Sequence, residues 1–204
     1  MSEIVLDIEI RRNPKDLPGS WDSTHLMGVS FACVWVEGGQ RMHVYDGEAE
    51  GPCGLRALRQ QILLADKIIG FNLCNFDYPV IFEMSRADWS NAKPAKELKE
   101  RIFPKTRDIL REIWLAMGLD PDKFNPKTHD GWGLDAVCAG TLSVRKASDS
   151  AKMPSLWDEK RYAEIITHCS DDVAMTRDLD KFIQTYGYVF NDKLKKRLSL
   201  PVGL

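Results

Sequence analysis

Ile4-Val-Leu-Asp-Ile-Glu-Ile10 is the stretch of sequence that decides the fold, and its aliphatic, mostly β-branched residues are typical of a strand. Because side chains alternate between the two faces of a strand, Asp7 and Glu9 share one face, and the isoleucines and Leu6 take the other. Two neighbouring carboxylates on an inner face repel each other unless cations neutralise them. The stretch therefore predicts a central strand whose acids suit Mg²⁺ or Mn²⁺, ions that prefer oxygen ligands.

The spacing of these two acids is not decisive alone, because such pairs arise by chance in a chain with 30 acidic residues. An edge strand with a solvated polar face is the alternative.

A second acidic block, Gly70-Phe-Asn-Leu-Cys-Asn-Phe-Asp77, follows a predicted strand near 67–71. Asp77 is a candidate ligand or the N-cap of a helix with Pro79 in its first turn. Asn72 is a turn residue or, at the carboxyl end of the strand, a ligand-binding amide.

The third block, His168-Cys-Ser-Asp-Asp-Val173, lies in a long predicted helix near 158–185. At about 100° per residue, Asp172 falls inside the apolar stripe of this helix, whereas Asp171 points toward water. His168 precedes Asp172 by one helical turn and lies beside it. An ordinary histidine paired with a carboxylate is the alternative to a catalytic role.

The three blocks in this order resemble the DEDD superfamily of 3′-5′ exonucleases, which has a ribonuclease H-like fold. The resemblance extends from Asp7 to about Tyr188. Within the superfamily, the chain is similar to the stand-alone or helicase-linked domains related to the proofreading domains of family B polymerases. Two further segments carry it, Leu134-Asp-Ala-Val-Cys-Ala-Gly-Thr-Leu142 and Ser155-Leu-Trp-Asp-Glu-Lys-Arg-Tyr162.

One position departs from the superfamily pattern. Members have either a histidine five residues before the last aspartate or a tyrosine four residues before it. Here Thr167 stands five residues before Asp172, and His168 stands four before it. The spacing is that of the tyrosine subclass, with histidine in the place of tyrosine. Either side chain can hold and deprotonate water, and histidine titrates nearer neutral pH.

The resemblance implies hydrolysis with two divalent metal ions, Mg²⁺ or Mn²⁺. It implies that Asp7 bridges the ions and that Glu9 and Asp172 complete the site on the side of the attacking water. Asp77 would hold the other ion mainly through water. His168 would be the general base, and the predicted substrate-binding residues are Asn72 and Phe76.

Length and composition predict one α/β domain, a ribonuclease H-like mixed five-stranded sheet flanked by helices. The chain has 204 residues, 44% of them hydrophobic, which suffices for one core. We expect this domain over residues 1–190 and a basic C-terminal tail over 191–204. Five cysteines without paired spacing indicate free thiols in a reducing cytoplasm. We expect neither a signal peptide nor a membrane span.

The expected elements follow from periodicity and turn residues. Strands are predicted near 3–10, 25–36, 41–46, 67–71 and 104–108. Helices are predicted near 54–65, 77–85, 94–101, 109–117, 132–140 and 158–185. The stretches 11–24 and 143–157 are predicted loops that either shape a substrate channel or have no role.

Charge limits the class of substrate. A net charge of −2 is not typical of a protein that grips long duplexes, but it permits one 3′ end to reach two metal ions. A basic run over 193–197 either contacts the nucleic acid backbone or is a solvated charge cluster.

The sequence thus predicts a 3′-5′ exonuclease acting on single-stranded DNA or RNA. A phosphodiesterase for small nucleotides or dinucleotides, and a catalytically silent nucleic-acid-binding module, are the alternatives; a helicase or polymerase partner is left open.

Overall fold

A five-stranded mixed sheet lies at the centre of the protein, whose computed structural model describes residues 2–202. Its strands are β1 (Glu3–Ile10), β2 (Val29–Val36), β3 (Arg41–Asp46), β4 (Lys67–Gly70) and β5 (Thr106–Asp108). They lie in the order β3-β2-β1-β4-β5. The pairs β1–β2 and β2–β3 are antiparallel, whereas β1–β4 and β4–β5 are parallel. The predicted α/β class, with a ribonuclease H-like mixed sheet flanked by helices, is confirmed.

Helices cover both faces of this sheet. They are α1 (Thr24–Met27), α2 (Leu55–Leu64), α3 (Tyr78–Ile81), α4 (Arg86–Asn91), α5 (Lys93–Ile102), α6 (Ile109–Ala116), α7 (Pro126–His129), α8 (Leu134–Thr141), α9 (Met153–Asp158) and α10 (Tyr162–Tyr186). None of the helices within residues 2–202 is long and apolar enough to cross a membrane.

The alternation of β1 divides the core into two parts. Leu6 and its neighbours on one face pack in one cluster with Leu58 and Ile62 of α2. Val5, on the face that also carries the two acids, packs in a second cluster with Val173 of α10. The acidic face of β1 is therefore turned toward α10, the helix that carries the third acidic block.

Two predicted elements begin four residues earlier than the observed ones. The strand predicted over 25–36 begins at Val29, because α1 occupies the preceding residues and Gly28, at φ 64°, separates the two. The helix predicted over 158–185 begins at Tyr162, and a separate helix, α9, ends at Asp158. Lys160, at φ 58°, interrupts the helical path between them.

A β-hairpin follows α10. It consists of β6 (Tyr188–Asn191) and β7 (Lys196–Ser199), and it packs on the end of α8. Thr141 Oγ1 accepts the Phe190 N–H at 2.9 Å and donates to the Phe190 carbonyl at 3.1 Å. A Cβ on Gly140 would lie 2.3 Å from the same carbonyl oxygen, so this close approach requires glycine. The hairpin crosses the boundary at residue 190, and the division into a domain and a basic tail stays a prediction.

Candidate metal centre

The strand β1 presents both of its acids to α10. Glu9 is 5% exposed. Asp7 is half-buried as a residue, but its Oδ2 is closed off from solvent and has no hydrogen-bond partner. The Cys169 thiol donates to the Asp7 carbonyl at 3.4 Å, which holds α10 directly against this part of the strand.

The helix α10 adds a carboxylate and an imidazole to the cluster. Asp172 and His168 are buried, whereas Asp171 is exposed, so the predicted phase of the helix is confirmed. His168 Nε2 lies 3.3 Å from Glu9 Oε1 and 3.8 Å from Asp172 Oδ2. One ligand atom from each of these three residues lies within 4.8 Å of the other two. Asp172 Oδ1 is buried without a partner.

Asp77 reaches the cluster from the segment after β4. A π-helical turn, Leu73–Asp77, leads into α3, and Asp77 makes no side-chain cap for that helix. Its side chain is 3% exposed, and the backbone amide of Ile8 hydrogen-bonds its carboxylate. Burial, followed by the charge of Asp108, raises the pKa of Asp77 to about 8. The carboxylate of Asp77 therefore does not have the alternative role of an N-cap for α3.

The carboxylates repel one another electrostatically. Burial is the main cause that raises the pKa of Asp7 well above its usual range, and the charges of Asp172, Asp77 and Glu9 add to it. Burial likewise raises the pKa of Glu9, again with Asp172 as the next contribution. Such a set of acids keeps its charge only beside a cation. Oxygen ligands with buried, unpartnered atoms fit a divalent ion such as Mg²⁺ or Mn²⁺.

Sequence reasoning missed Lys146, a cation within the cluster. Its Nζ donates to Asp172 Oδ2. Burial opposes the charge on this ammonium, but the carboxylates of Asp172, Asp7 and Glu9 outweigh burial and raise the pKa of Lys146. Lys146 lies in the stretch 143–157, where no periodicity indicates which side chain faces inward.

Asp108 accepts backbone hydrogen bonds that the sequence does not indicate. Its carboxylate caps α6, accepting the Arg111 N–H at 3.3 Å. It also accepts the N–H groups of Asn72 at 2.8 Å and of Cys74 at 2.9 Å. Asn72 has a left-handed conformation, with φ 74°. One buried carboxylate therefore fixes the turn that leads from β4 to Asp77.

The predicted substrate residues lie in this same turn. Phe76 is half-buried, and its ring centroid lies 6.0 Å from that of Trp21, which is 51% exposed. The nearby Tyr78, at 0% exposure, and Trp132, at 1% exposure, are buried in the core, so neither side chain is accessible for base stacking. Trp21 and Phe76 thus form a partly exposed aromatic pair, in which Phe76 directly precedes Asp77.

No known protein-family model and no curated protein matches this chain. Among solved structures, the chain is similar to the family B DNA polymerase from the hyperthermophilic archaeon Pyrobaculum calidifontis, with a TM-score of 0.53 and 19% sequence identity. The match covers 90% of this chain and 24% of the polymerase chain. At this level of identity the likeness shows a shared fold, and it agrees with the mixed sheet described above.

Proposed function

We propose that this protein is a 3′-5′ exonuclease that hydrolyses the terminal phosphodiester bond of single-stranded DNA or RNA. The observation that carries the proposal is the convergence of Asp7, Glu9, Asp77 and Asp172, from three separate parts of the chain, into one buried cluster. The sequence resemblance to the DEDD exonucleases and the fold shared with a family B DNA polymerase support it. Neither supplies the activity by itself.

The acidic residues would hold two Mg²⁺ or Mn²⁺ ions. Asp7, Glu9 and Asp172 would bind on the side of the attacking water, with Asp7 shared between the ions, and Asp77 on the side of the leaving group. The ions, when bound, supply an activated water and stabilise the charge on the 3′ oxygen that leaves. The buried, unpartnered atoms Asp7 Oδ2 and Asp172 Oδ1 support this assignment.

His168 is the proposed general base. Its Nε2 is the ring nitrogen that faces the carboxylates, and it takes a proton from the attacking water. Burial lowers the pKa of His168, although the nearby charge of Asp172 opposes this effect. An imidazole that is neutral at neutral pH is free to accept a proton.

Asn72, Phe76 and Trp21 are the proposed contacts to the substrate. A base stacked on an aromatic side chain gains about 1 to 3 kcal/mol, and only an unpaired base offers its face. This favours a single-stranded 3′ end. The exposed basic side chains of the hairpin are proposed contacts to the phosphate backbone; they are Lys193, Lys195, Lys196 and Arg197.

We place the activity in the cytoplasm, where the five free thiols fit the reducing conditions.

A time course on 5′-labelled single-stranded DNA and RNA with Mn²⁺ or Mg²⁺ tests the proposal. We expect a ladder that shortens from the 3′ end and disappears in EDTA and in the Asp7→Ala variant. Cleavage of dinucleotides alone would overturn the exonuclease in favour of a small-nucleotide phosphodiesterase. Binding of single strands without cleavage, in the presence of metal, would indicate a catalytically silent module.

A further inference from the structure

Both ring nitrogens of His168 lie within hydrogen-bond distance of a serine hydroxyl. Ser148 Oγ is 2.7 Å from Nδ1, and Ser150 Oγ is 3.0 Å from Nε2. Nε2 is also the nitrogen that lies 3.3 Å from Glu9 Oε1. Ser148 therefore contacts the ring through the nitrogen that is not turned toward the candidate metal centre.

The groups around Nε2 indicate which nitrogen carries the proton. An ammonium can only donate, and Lys146 Nζ donates to Ser150 Oγ at 3.3 Å. The hydroxyl hydrogen of Ser150 is then available for Nε2, which accepts it at the place where the attacking water would donate in the proposed reaction. A neutral imidazole that accepts at Nε2 has its proton on Nδ1, and the Ser148 oxygen is within reach of that proton.

We propose that Ser148 is a positioning residue whose hydroxyl oxygen accepts the Nδ1–H of His168 and so keeps the Nε2 lone pair turned toward the candidate metal centre. The inference rests on the proposed function, in which Nε2 accepts the proton of the attacking water. A partner on the far nitrogen fixes both the tautomer and the ring orientation of a catalytic histidine. Glu9 Oε1, 3.3 Å from Nε2, offers an acceptor to the opposite tautomer, in which the proton is on Nε2. That tautomer would leave His168 without a lone pair for water, so the Ser148 oxygen is the partner that favours the proton on Nδ1.

This role is particular to a chain that has histidine at this position. A tyrosine has a single polar side-chain atom and no tautomers, so it needs no second partner to select one. An imidazole can offer either nitrogen, and a wrong choice disables it as a base. Ser148 lies in an exposed loop, so its replacement is not expected to unfold the protein.

The kinetic test compares Ser148→Ala with Ser148→Thr and with Ser155→Ala, a matched loss of an exposed serine hydroxyl on α9. We expect Ser148→Ala to lower kcat by about 10- to 100-fold while KM changes by less than about 2-fold. Ser148→Thr, which retains a hydroxyl, should recover most of the lost kcat. Ser155→Ala should match the wild type. An unchanged kcat in Ser148→Ala would overturn the proposal.

A spectroscopic test is independent of turnover. Long-range proton–nitrogen correlation spectra of the protein with ¹⁵N-labelled histidine report which ring nitrogen is protonated, and a His168→Gln spectrum assigns the signal. We expect the Nδ1–H form in the wild type and a gain of the Nε2–H form in Ser148→Ala. The Nε2–H form in the wild type would refute the role of Ser148. If the wild type cleaves no nucleic acid, the exonuclease proposal fails, and these spectra still decide the Ser148–His168 bond.

Discussion

Asp171 and Asp172 are adjacent in the sequence, but they lie on opposite sides of the boundary between solvent and protein interior. Asp172 is 3% exposed beside Lys146 and His168, whereas Asp171 faces water. A rotation of about 100° between successive helical residues is the whole cause of this difference. Substitutions of Asp171 and Asp172 therefore compare an exposed with a buried aspartate at adjacent positions of the same helix.

We predict that Asp172→Ala abolishes hydrolysis and weakens Mn²⁺ binding, because it removes a buried ligand of the proposed site. Asp171→Ala should retain wild-type activity to within about 2-fold, as expected for an exposed surface substitution. Nuclease assays and calorimetric titration with Mn²⁺ measure the two effects. Near-native turnover in Asp172→Ala would remove Asp172 from the site. A large loss of activity in Asp171→Ala would contradict the assignment of Asp171 to the solvent-facing side of α10.

The pKa of Asp77 predicts how stability depends on pH in EDTA. Because burial raises this pKa to about 8, the folded state holds the proton more tightly than the unfolded chain does. The stabilisation is complete below the unfolded pKa of about 4 and is lost as the pH rises through about 8. Asp77→Asn should therefore show a smaller decrease in the free energy of unfolding over this range. Urea denaturation at a series of pH values measures it, and identical slopes in both proteins would contradict the prediction.

At the scale of elements, the turn after β4 depends on a residue from the next strand. Asp108, at the end of β5, accepts backbone N–H groups of Asn72 and Cys74 and also caps α6. The parallel pairing of β4 with β5 places Gly70 opposite Asp108. The carboxyl ends of two strands and the start of a helix thus converge on one buried carboxylate, and the path to Asp77 follows from it.

We predict that Asp108→Ala lowers the free energy of unfolding by about 3 kcal/mol, because it leaves buried backbone donors without an acceptor. It should also reduce hydrolysis, since the turn that carries Asp77 loses its anchor. Asp108→Asn retains one acceptor oxygen and should fall between the wild type and Asp108→Ala. Urea denaturation gives the stability change, and wild-type stability in Asp108→Ala would show that the turn is held by other contacts.

Periodic elements were predictable from the sequence, whereas contacts made by irregular segments were not. Alternation in β1 predicts the shared face of Asp7 and Glu9, and helical periodicity predicts the burial of Asp172, both of which the structure confirms. Lys146 could not be predicted, because its stretch has no repeating pattern and its position depends on tertiary packing. The roles of the site residues stay a prediction. The sequence analysis did not predict the hairpin after α10, because the basic residues of this segment are typical of a solvated tail.

At the scale of the whole molecule, a buried ion network joins the sheet to α10. Arg107, on β5, donates to Asp180 of α10 at 2.6 Å and to both carboxylate oxygens of Glu112, at 2.9 and 3.0 Å. Arg107 is 4% exposed and Asp180 is 5% exposed. The network lies two helical turns beyond Asp172 along α10, so it ties down the helix that carries part of the candidate site.

We predict that Arg107→Ala lowers the free energy of unfolding by about 3 to 5 kcal/mol, because it leaves the buried carboxylate of Asp180 and the half-buried carboxylate of Glu112 without their cation. Arg161 is the matched control, since it pairs with Glu159 and Glu164 at the surface and its side chain is 50% exposed. Arg161→Ala should lower the free energy of unfolding far less, because water and salt screen an exposed ion pair. Equal losses in the two variants, measured by urea denaturation, would show that burial of the Arg107 network is not what sets its contribution.

The contact between Cys169 and Asp7 joins residues 162 positions apart in the chain. The strand with the first two acids leaves the ribosome long before the helix with the last one, and pairing over such a separation forms slowly. A nascent chain that has not yet released α10 therefore displays β1 without the residues that complete the acidic cluster. The acidic cluster is therefore complete only after α10 has been synthesised and has packed against β1.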